Sequence, residues 1–527
     1  MAMVPLRNIG AGGLTPDQQP YDVELTQFPS GNNVQFFSGR LGKSLGYTQV
    51  SSLTFQPTHA AGWFVDSANS VIIGSNDALY RFNGSTVENV TATAYTTGYS
   101  NSPRWQSNQI GAGFLMNNGS DKPQYMGSGD TLFADIDNWP TSLRSYSVRP
   151  FTSFLVMAGY TEGGVEYPYT VRWSDEFDPT TVPGSYDITS TTNLAGENIL
   201  GGRFGRLVDS LPLAGINIVY AERGAYAMSF IGAPLVFSFR ELFDDDGIVN
   251  VGAACVFNNR HFVVGRNDIY IHDGSAKQSI AEKRVKEEFY TQLADTRSVF
   301  VVHDPVLAEI WVCYADKNAS DKETANRALV YSYINDGFTF RDIPNVRSMA
   351  IGPGIGGGGT GEGGANSASW DSLNVEWDSW SVNWSDLGAE TEARNLRLFA
   401  AGYADSKLFA MNETYGAVGA TYTSFVEASK IDLDRVLQRP VERVMQIKRI
   451  VPQIEGTGTV TFKVGSSNSP QSPVTWKTTK VFNVESDYKI DTRVSGRYLA
   501  IRVESADVAG YWQLGGFDLD VEEVSER

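Results

Sequence analysis

"HFVVGRNDIYIHDGS", residues 261–275, decides the fold of this chain. Apolar and polar residues nearly alternate, the mark of a strand with one buried face. A turn interrupts, a short second strand follows, and Asp273-Gly274 closes the unit with a hairpin dipeptide. The chain writes almost the same text earlier as "VIIGSNDALYRFNGS", residues 71–85. The two segments have equal length, and their Tyr and closing Gly-Ser fall in register. Val71 and Phe82 stand where the later copy has His261 and His272. One hairpin cannot bury its apolar face alone. A chain that repeats the hairpin is built to stack such units.

The reading extends outward from there. From residue 60 to about 420 the text is strand, turn, strand, as in "SFLVMAGY", "YPYTVRWSD", "AGINIVYAERGAYAMSFIG" and "LRLFAAGYADSKLFAMNE". Asn-Gly, Asp-Gly and other Gly-containing turns separate the strands. Radial packing of small sheets buries such hairpins. The expected fold is therefore all-β: a β-propeller body with long insertions plus a small C-terminal β domain, with an array of β-sandwiches as the other reading. Residues 1–30, broken by Gly12-Gly13, Pro16, Pro20 and Pro29, are expected as an extended N-terminal arm. The body is expected over 31–420, with a Gly/Trp-rich insertion at 351–390. Residues 421–527 read as a β-sandwich-like or platform domain, because "TFKV" and "LAIRV" alternate with period two. One helix is expected over 279–294, with Ser279 at its cap and Glu282 three residues on.

Bulk chemistry narrows the function. The chain has 527 residues and a formal net charge of −18. An acidic surface repels nucleic-acid phosphate, so stable sequence-specific DNA binding is not expected. Transient passage of DNA along an acidic wall is compatible with it. Cys255 and Cys313 are the only cysteines, and both read as buried free thiols. No apolar run reaches membrane-spanning length. His59, His261, His272 and His303 lie in no metal-type spacing, and the two in the repeated hairpin read as structural. Asp244, Asp245 and Asp246 in "LFDDDG" miss the calcium-loop spacing and read as a solvated turn, as do Asp175, Glu176 and Asp178. The glycine tract after Ile351 lacks the Lys and Ser/Thr ending of a phosphate loop. Trp370, Trp377, Trp380 and Trp384 follow it beside acids. They suit local packing, a subunit interface or stacking on sugars. No catalytic residue, cofactor or metal is assigned.

Several segments in order resemble structural proteins of short-tailed bacteriophages, in particular the tail nozzle or tail-stabilising accessory protein. They include "GNNVQFFSGRLGKSLGY", "NNGSDKPQYM", "PYTVRWSD", "ACVFNNRHFVVGRNDIYIHDG" and "GRYLAIRVESADVAGYWQLGGFDLDV". The pattern falls on Asn33, Phe36, Gly39, Arg40, Asp121, Lys122, Pro123, Trp173, Gly265, Asp268, Tyr270, Asp273 and Gly274. It does not include the 351–386 segment. The resemblance implies a virion tail protein with a propeller body. Such a protein self-associates as a six-fold ring at the distal end of the tail and extends the DNA-ejection channel. It helps retain packaged DNA and contacts a tail adaptor and a fibre or needle protein. None of the matched residues is catalytic in such proteins. The acidic balance adds the expectation that part of the charge lines the assembled channel. A host-surface glycan-binding or glycan-degrading β-propeller is the competing function, because Trp and Asp are both at hand near 370–386.

Overall fold

The computed structural model describes residues 2–65, 69–95, 97–100, 104–178, 180–355, 396–436 and 443–526. These are nearly all β. Five antiparallel sheets follow one another along the chain: sheet 1 (59–89), sheet 2 (106–135), sheet 3 (143–199), sheet 4 (207–243) and sheet 5 (254–279). All are four-stranded meanders except sheet 3, which has a fifth strand. A seven-stranded sheet then uses the Gly337–Pro353 strand twice. Its first half pairs with Ala325–Ser332 and completes a meander, sheet 6 (300–342). Its second half pairs with Leu396–Gly402 and begins another, sheet 7 (346–411). The outer strand of sheet 7 is Tyr47–Ser52, from before sheet 1.

The first strands of these sheets touch in cyclic order. His59–Trp63 meets Gln106–Ile110, which meets Val148–Phe151, which meets Leu207–Leu213. That strand meets Ala254–Phe257, which meets Phe300–Asp304, which meets Gly337–Pro353, which returns to His59–Trp63. The core follows the same logic, because each apolar cluster joins neighbours. Ile72 and Leu79 of sheet 1 pack with Phe114 and Met116 of sheet 2. Val156 and Trp173 of sheet 3 pack with Val219 and Met228 of sheet 4. Middle strands are covered on both faces, so Ser70–Gly74 and Ile269–His272 are buried at every position. Outer strands such as Val87–Asn89 and Lys277–Ser279 are polar and largely exposed. Alternation therefore fades in the middle of each sheet and returns at its rim.

The C-terminal block forms two further sheets whose apolar faces share one core. Ile447, Leu519 and Val521 come from one, and Phe462, Val464 and Ile501 from the other. Phe462 and Phe517 meet across them with ring centroids 6.3 Å apart. The beginning of the chain is woven into both. Ala2–Arg7 pairs along Trp512–Glu526, Arg40–Lys43 continues that sheet, and Ser30–Asn32 extends the other from Ser424–Ile431. Residues 1–30 thus differ from the extended arm read in the sequence. Val4 and Leu6 alternate inward and are buried, and the strand between them and solvent is hydrogen-bonded to the last strand of the chain.

Two local readings are corrected. The helix runs only over Lys286–Gln292, while Ser279 ends a strand. Its first amides, Glu287 N and Glu288 N, donate to the Asp17 carboxylate at 2.8 and 2.9 Å, so the cap comes from a distant segment. Of the three acids at 244–246, Asp244 and Asp245 are exposed and paired with Arg203 and Lys277. Asp246 is instead buried and accepts from the amides of Arg266, Asn267 and Asp268 at 3.0–3.1 Å. It holds the turn of the repeated hairpin and is no part of a solvated loop.

Candidate functional site

All seven sheets contribute to one cavity of ≈ 860 Å³ where their first strands converge. His59, Gln106, Arg149, Leu207, Gly252, Phe300 and Ser348 mark the contribution of each in turn. An acid inside an apolar strand, Asp209 of "RLVDSLPLAG", anchors this centre. Its carboxylate takes both Arg149 Nε at 3.0 Å and Arg149 Nη2 at 2.7 Å. It also accepts from Ser147 Oγ at 2.8 Å, Gln106 Nε2 at 3.3 Å and Gly252 N at 3.1 Å. Those donors belong to sheet 2, sheet 3 and the entry to sheet 5, so one side chain ties four consecutive sheets. Burial pushes the Asp209 carboxyl up. The Arg149 charge and the hydrogen bonds from Arg149, Gly252 and Ser147 outweigh that and hold it below the usual carboxylate range.

The wall of the cavity is cationic in an acidic protein. Arg104, Arg144, Arg149, Arg206, Arg297 and Arg347 line it, against Glu166 and Glu222. Several have partners: Arg206 meets Glu166 at 3.0 Å, Arg297 meets Asp295 at 2.7 Å, and Arg347 meets Glu323 at 3.5 Å. Arg144 donates to the carbonyls of Ser120, Thr141 and Leu143. Burial, followed by the neighbouring Arg347 charge, lowers the Arg104 guanidinium to about 10. His59 Nε2 lies 2.9 Å from Ser107 Oγ, and burial followed by the Arg149 charge lowers its ring to about 4. It is therefore neutral at pH 7 and adds no charge.

A second polar centre lies between sheets 4 and 5. Gly274 N donates to His272 Nδ1 at 3.1 Å, which leaves the proton of that ring on Nε2. His272 Nε2 then donates to Tyr220 Oη at 2.6 Å, and Tyr220 donates to His261 Nδ1 at 2.7 Å. His261 Nε2 completes the chain by donating to the Pro212 carbonyl at 3.0 Å. Each bond sets the tautomer of the next ring. Burial lowers His261 to about 4 and, with the His261 charge second, His272 to about 3. Every group is satisfied and neutral, which is the behaviour of packing and not of acid–base chemistry.

The residues singled out in the sequence are dispersed. Asn33 is buried where the two-sheet domain meets sheet 6, accepting from Asp342 N at 2.7 Å and donating to the Thr423 carbonyl at 2.8 Å. Phe36 packs near Phe28, with centroids 6.2 Å apart, Gly39 makes the following turn, and Arg40 pairs with Glu455 at 3.1 Å. Asp121 accepts from Ser100 N at 2.7 Å, Lys122 pairs with Asp135 at 3.2 Å, and the Pro123 carbonyl accepts from Ile136 N at 2.9 Å. Trp173 is buried and donates to the Leu194 carbonyl at 2.9 Å. At Gly265 the Asp246 carboxylate occupies the space of a Cβ, with Oδ2 2.2 Å from where that atom would lie. Asp268 accepts from Ser279 Oγ at 3.0 Å, and Tyr270 donates to the Gly247 carbonyl at 2.9 Å. Asp273 accepts from Ser275 N at 2.9 Å and Ala276 N at 3.0 Å, as Asn83 does from Ser85 and Thr86 in the first copy. All of these position backbone, and none lines the central cavity. Trp370, Trp377, Trp380 and Trp384 lie outside the described residues. The residues that do converge, Asp209 and the arginines, are in no motif. The signal for Asp209 was an ionisable side chain on the buried face of a strand.

Among the described residues no group of three His, Cys, Asp or Glu could hold a metal ion. None of the described helices is long and apolar enough to cross a membrane. No family model matches the chain, and no curated protein does. Among solved structures, the computationally designed Ika8 protein aligns over 70% of this chain and 100% of its own at 9% identity. The TM-score of that alignment, 0.36, is too low to carry an argument.

Proposed function

We propose that this chain is a structural subunit of a bacteriophage tail, a nozzle protein that forms a ring at the distal end and extends the DNA-ejection channel. In this reading the seven sheets are blades of a β-propeller, and the two-sheet domain is a platform beside it. The observation that carries it is the cyclic contact of the seven first strands, closed by a strand from before sheet 1. Such a closure, with Asp209 bridging four sheets, gives a stiff body suited to a collar under internal pressure. Copies arranged around a six-fold axis would meet through heterologous surfaces and contact an adaptor above and a fibre or needle protein below. The protein would be part of the virion and perform no catalysis.

Labelled antibody on intact virions tests this reading. Label at the distal tail tip, with particles lacking the protein packaging DNA and then losing it, is the expected result. Virions that lack the protein yet retain their genome and infect would overturn it. The competing glycan reading is separated by incubating purified protein with host polysaccharide. Depolymerisation that vanishes on changing a single carboxylate would favour that reading.

A further inference from the structure

The arginines of the central cavity are more than the structure of the ring requires. Arg149 is accounted for by Asp209. Arg104, Arg297 and Arg347 form a separate group with Asp295 and Glu323, in which cations outnumber anions by three to two. Placing guanidiniums side by side in a partly dehydrated space is costly unless an anion joins them. Arg347 shows the vacancy most directly. Its side chain is 11% exposed, its Nε is buried without an acceptor, and its nearest carboxylate is 3.5 Å away. Its guanidinium is fixed in place by stacking 3.6 Å from the centre of the Tyr403 ring. Arg297, from a different sheet connection, is 74% exposed and free to turn inward.

We propose that the central cavity binds a doubly charged oxyanion of the phosphate or sulfate class on Arg104, Arg297 and Arg347. A guanidinium presents two parallel N–H groups, and tetrahedral oxyanions match that fork. The cavity volume of ≈ 860 Å³ leaves room for such a group to be carried on a small organic molecule, so the source is either the free ion or an ester. Over the rest of a chain of net charge −18, anions are repelled, which makes this cavity the local exception. The inference rests on the cavity alone and is independent of the tail reading.

Calorimetric titration of the full chain at pH 7 with sodium phosphate, against sodium chloride at matched ionic strength, tests it. Saturable uptake of one phosphate per chain is expected. Arg104→Gln and Arg347→Gln are expected to weaken it by about tenfold each. Arg203→Gln, on the outer rim and paired with Glu241 and Asp244, should leave it unchanged. Because Arg347→Gln affects a well-packed side chain, Arg297→Gln at an exposed position provides the variant that keeps the fold. A parallel titration with a phosphorylated monosaccharide names the source. Tighter binding of the sugar ester indicates an ester-borne group, and tighter binding of inorganic phosphate indicates the free ion. Phosphate heats no larger than those of chloride, or equal weakening by Arg203→Gln, would overturn the proposal.

Discussion

The two copies of the repeated hairpin sit in different seams. In sheet 1, Val71 pairs with Phe82 across the strands. Both are buried in a dry cluster with Leu53, Ala60, Phe399 and Leu408, where sheet 7 meets sheet 1. In sheet 5, His261 pairs with His272 at the same register. Both face Tyr220 on the second strand of sheet 4 and are joined to it by hydrogen bonds. Sheet 7 offers Phe399 on its second strand where sheet 4 offers Tyr220. One hairpin geometry therefore accepts an apolar or a polar pair, provided the neighbouring sheet supplies the matching partner. The turn that closes each hairpin is unchanged, because Asn83 and Asp273 make the same bonds to the two residues beyond.

The sharpest tests act on this contrast. Phe82→Ala should cost about 3–5 kcal/mol, because the dry seam cannot refill the volume. Urea unfolding measures it, and a loss under 1 kcal/mol would mean the two sheets close over the gap. Asp209→Ala belongs to the same range, about 3–5 kcal/mol, since it leaves Arg149 buried without its charge partner. Pairing it with Arg149→Met should recover a large part in the same unfolding experiment.

Tyr220→Phe should cost about 1–3 kcal/mol by stranding a donor on His272 and an acceptor on His261. Adding His261→Val and His272→Phe to it converts the polar seam to the chemistry of the dry one. That triple variant should regain stability over Tyr220→Phe alone, and failure to do so would break the equivalence of the two seams. Proton linkage gives a smaller and more selective effect. His261 and His272 stay neutral in the folded chain down to about pH 4 and about pH 3, whereas unfolded histidine protonates near 6.5. The unfolded state binds more protons in that window, so stability is complete above about pH 6.5 and falls as pH drops toward 4. Thermal unfolding should show this slope in the natural chain and a shallower one in the triple variant.

The smallest effect should be equal in the two copies. Gly84 and Gly274 have φ of +103° and +88°, a region where a side chain is strained. Alanine at either should cost about 1 kcal/mol, and a marked inequality would show that the two turns are not the same device.

Much of this was written in local chemistry. The hairpins at 71–85 and 261–275, the structural role of the two histidines and the all-β body follow from alternation and Gly-based turns. Other features depended on distant partners. The helix starts at Lys286 because Asp17 reaches it, and a cap 270 residues away leaves no mark near Ser279. Asp246 looked like one of three solvated acids until the turn at 266–268 closed over it. Residues 1–30 looked like an arm because their Pro and Gly break long elements, yet Val4 and Leu6 needed only a six-residue strand to dock.

The sequence by itself determined where strands begin, where turns fall and which hairpin positions face inward, because backbone sterics and side-chain alternation act over a few residues. Tertiary structure alone decided which sheets became neighbours, that the strand Tyr47–Ser52 would close the circle, and that the arginines of separate sheets would share one cavity. Those outcomes depend on surfaces that match only when segments hundreds of residues apart are packed together, and no local pattern encodes such a match.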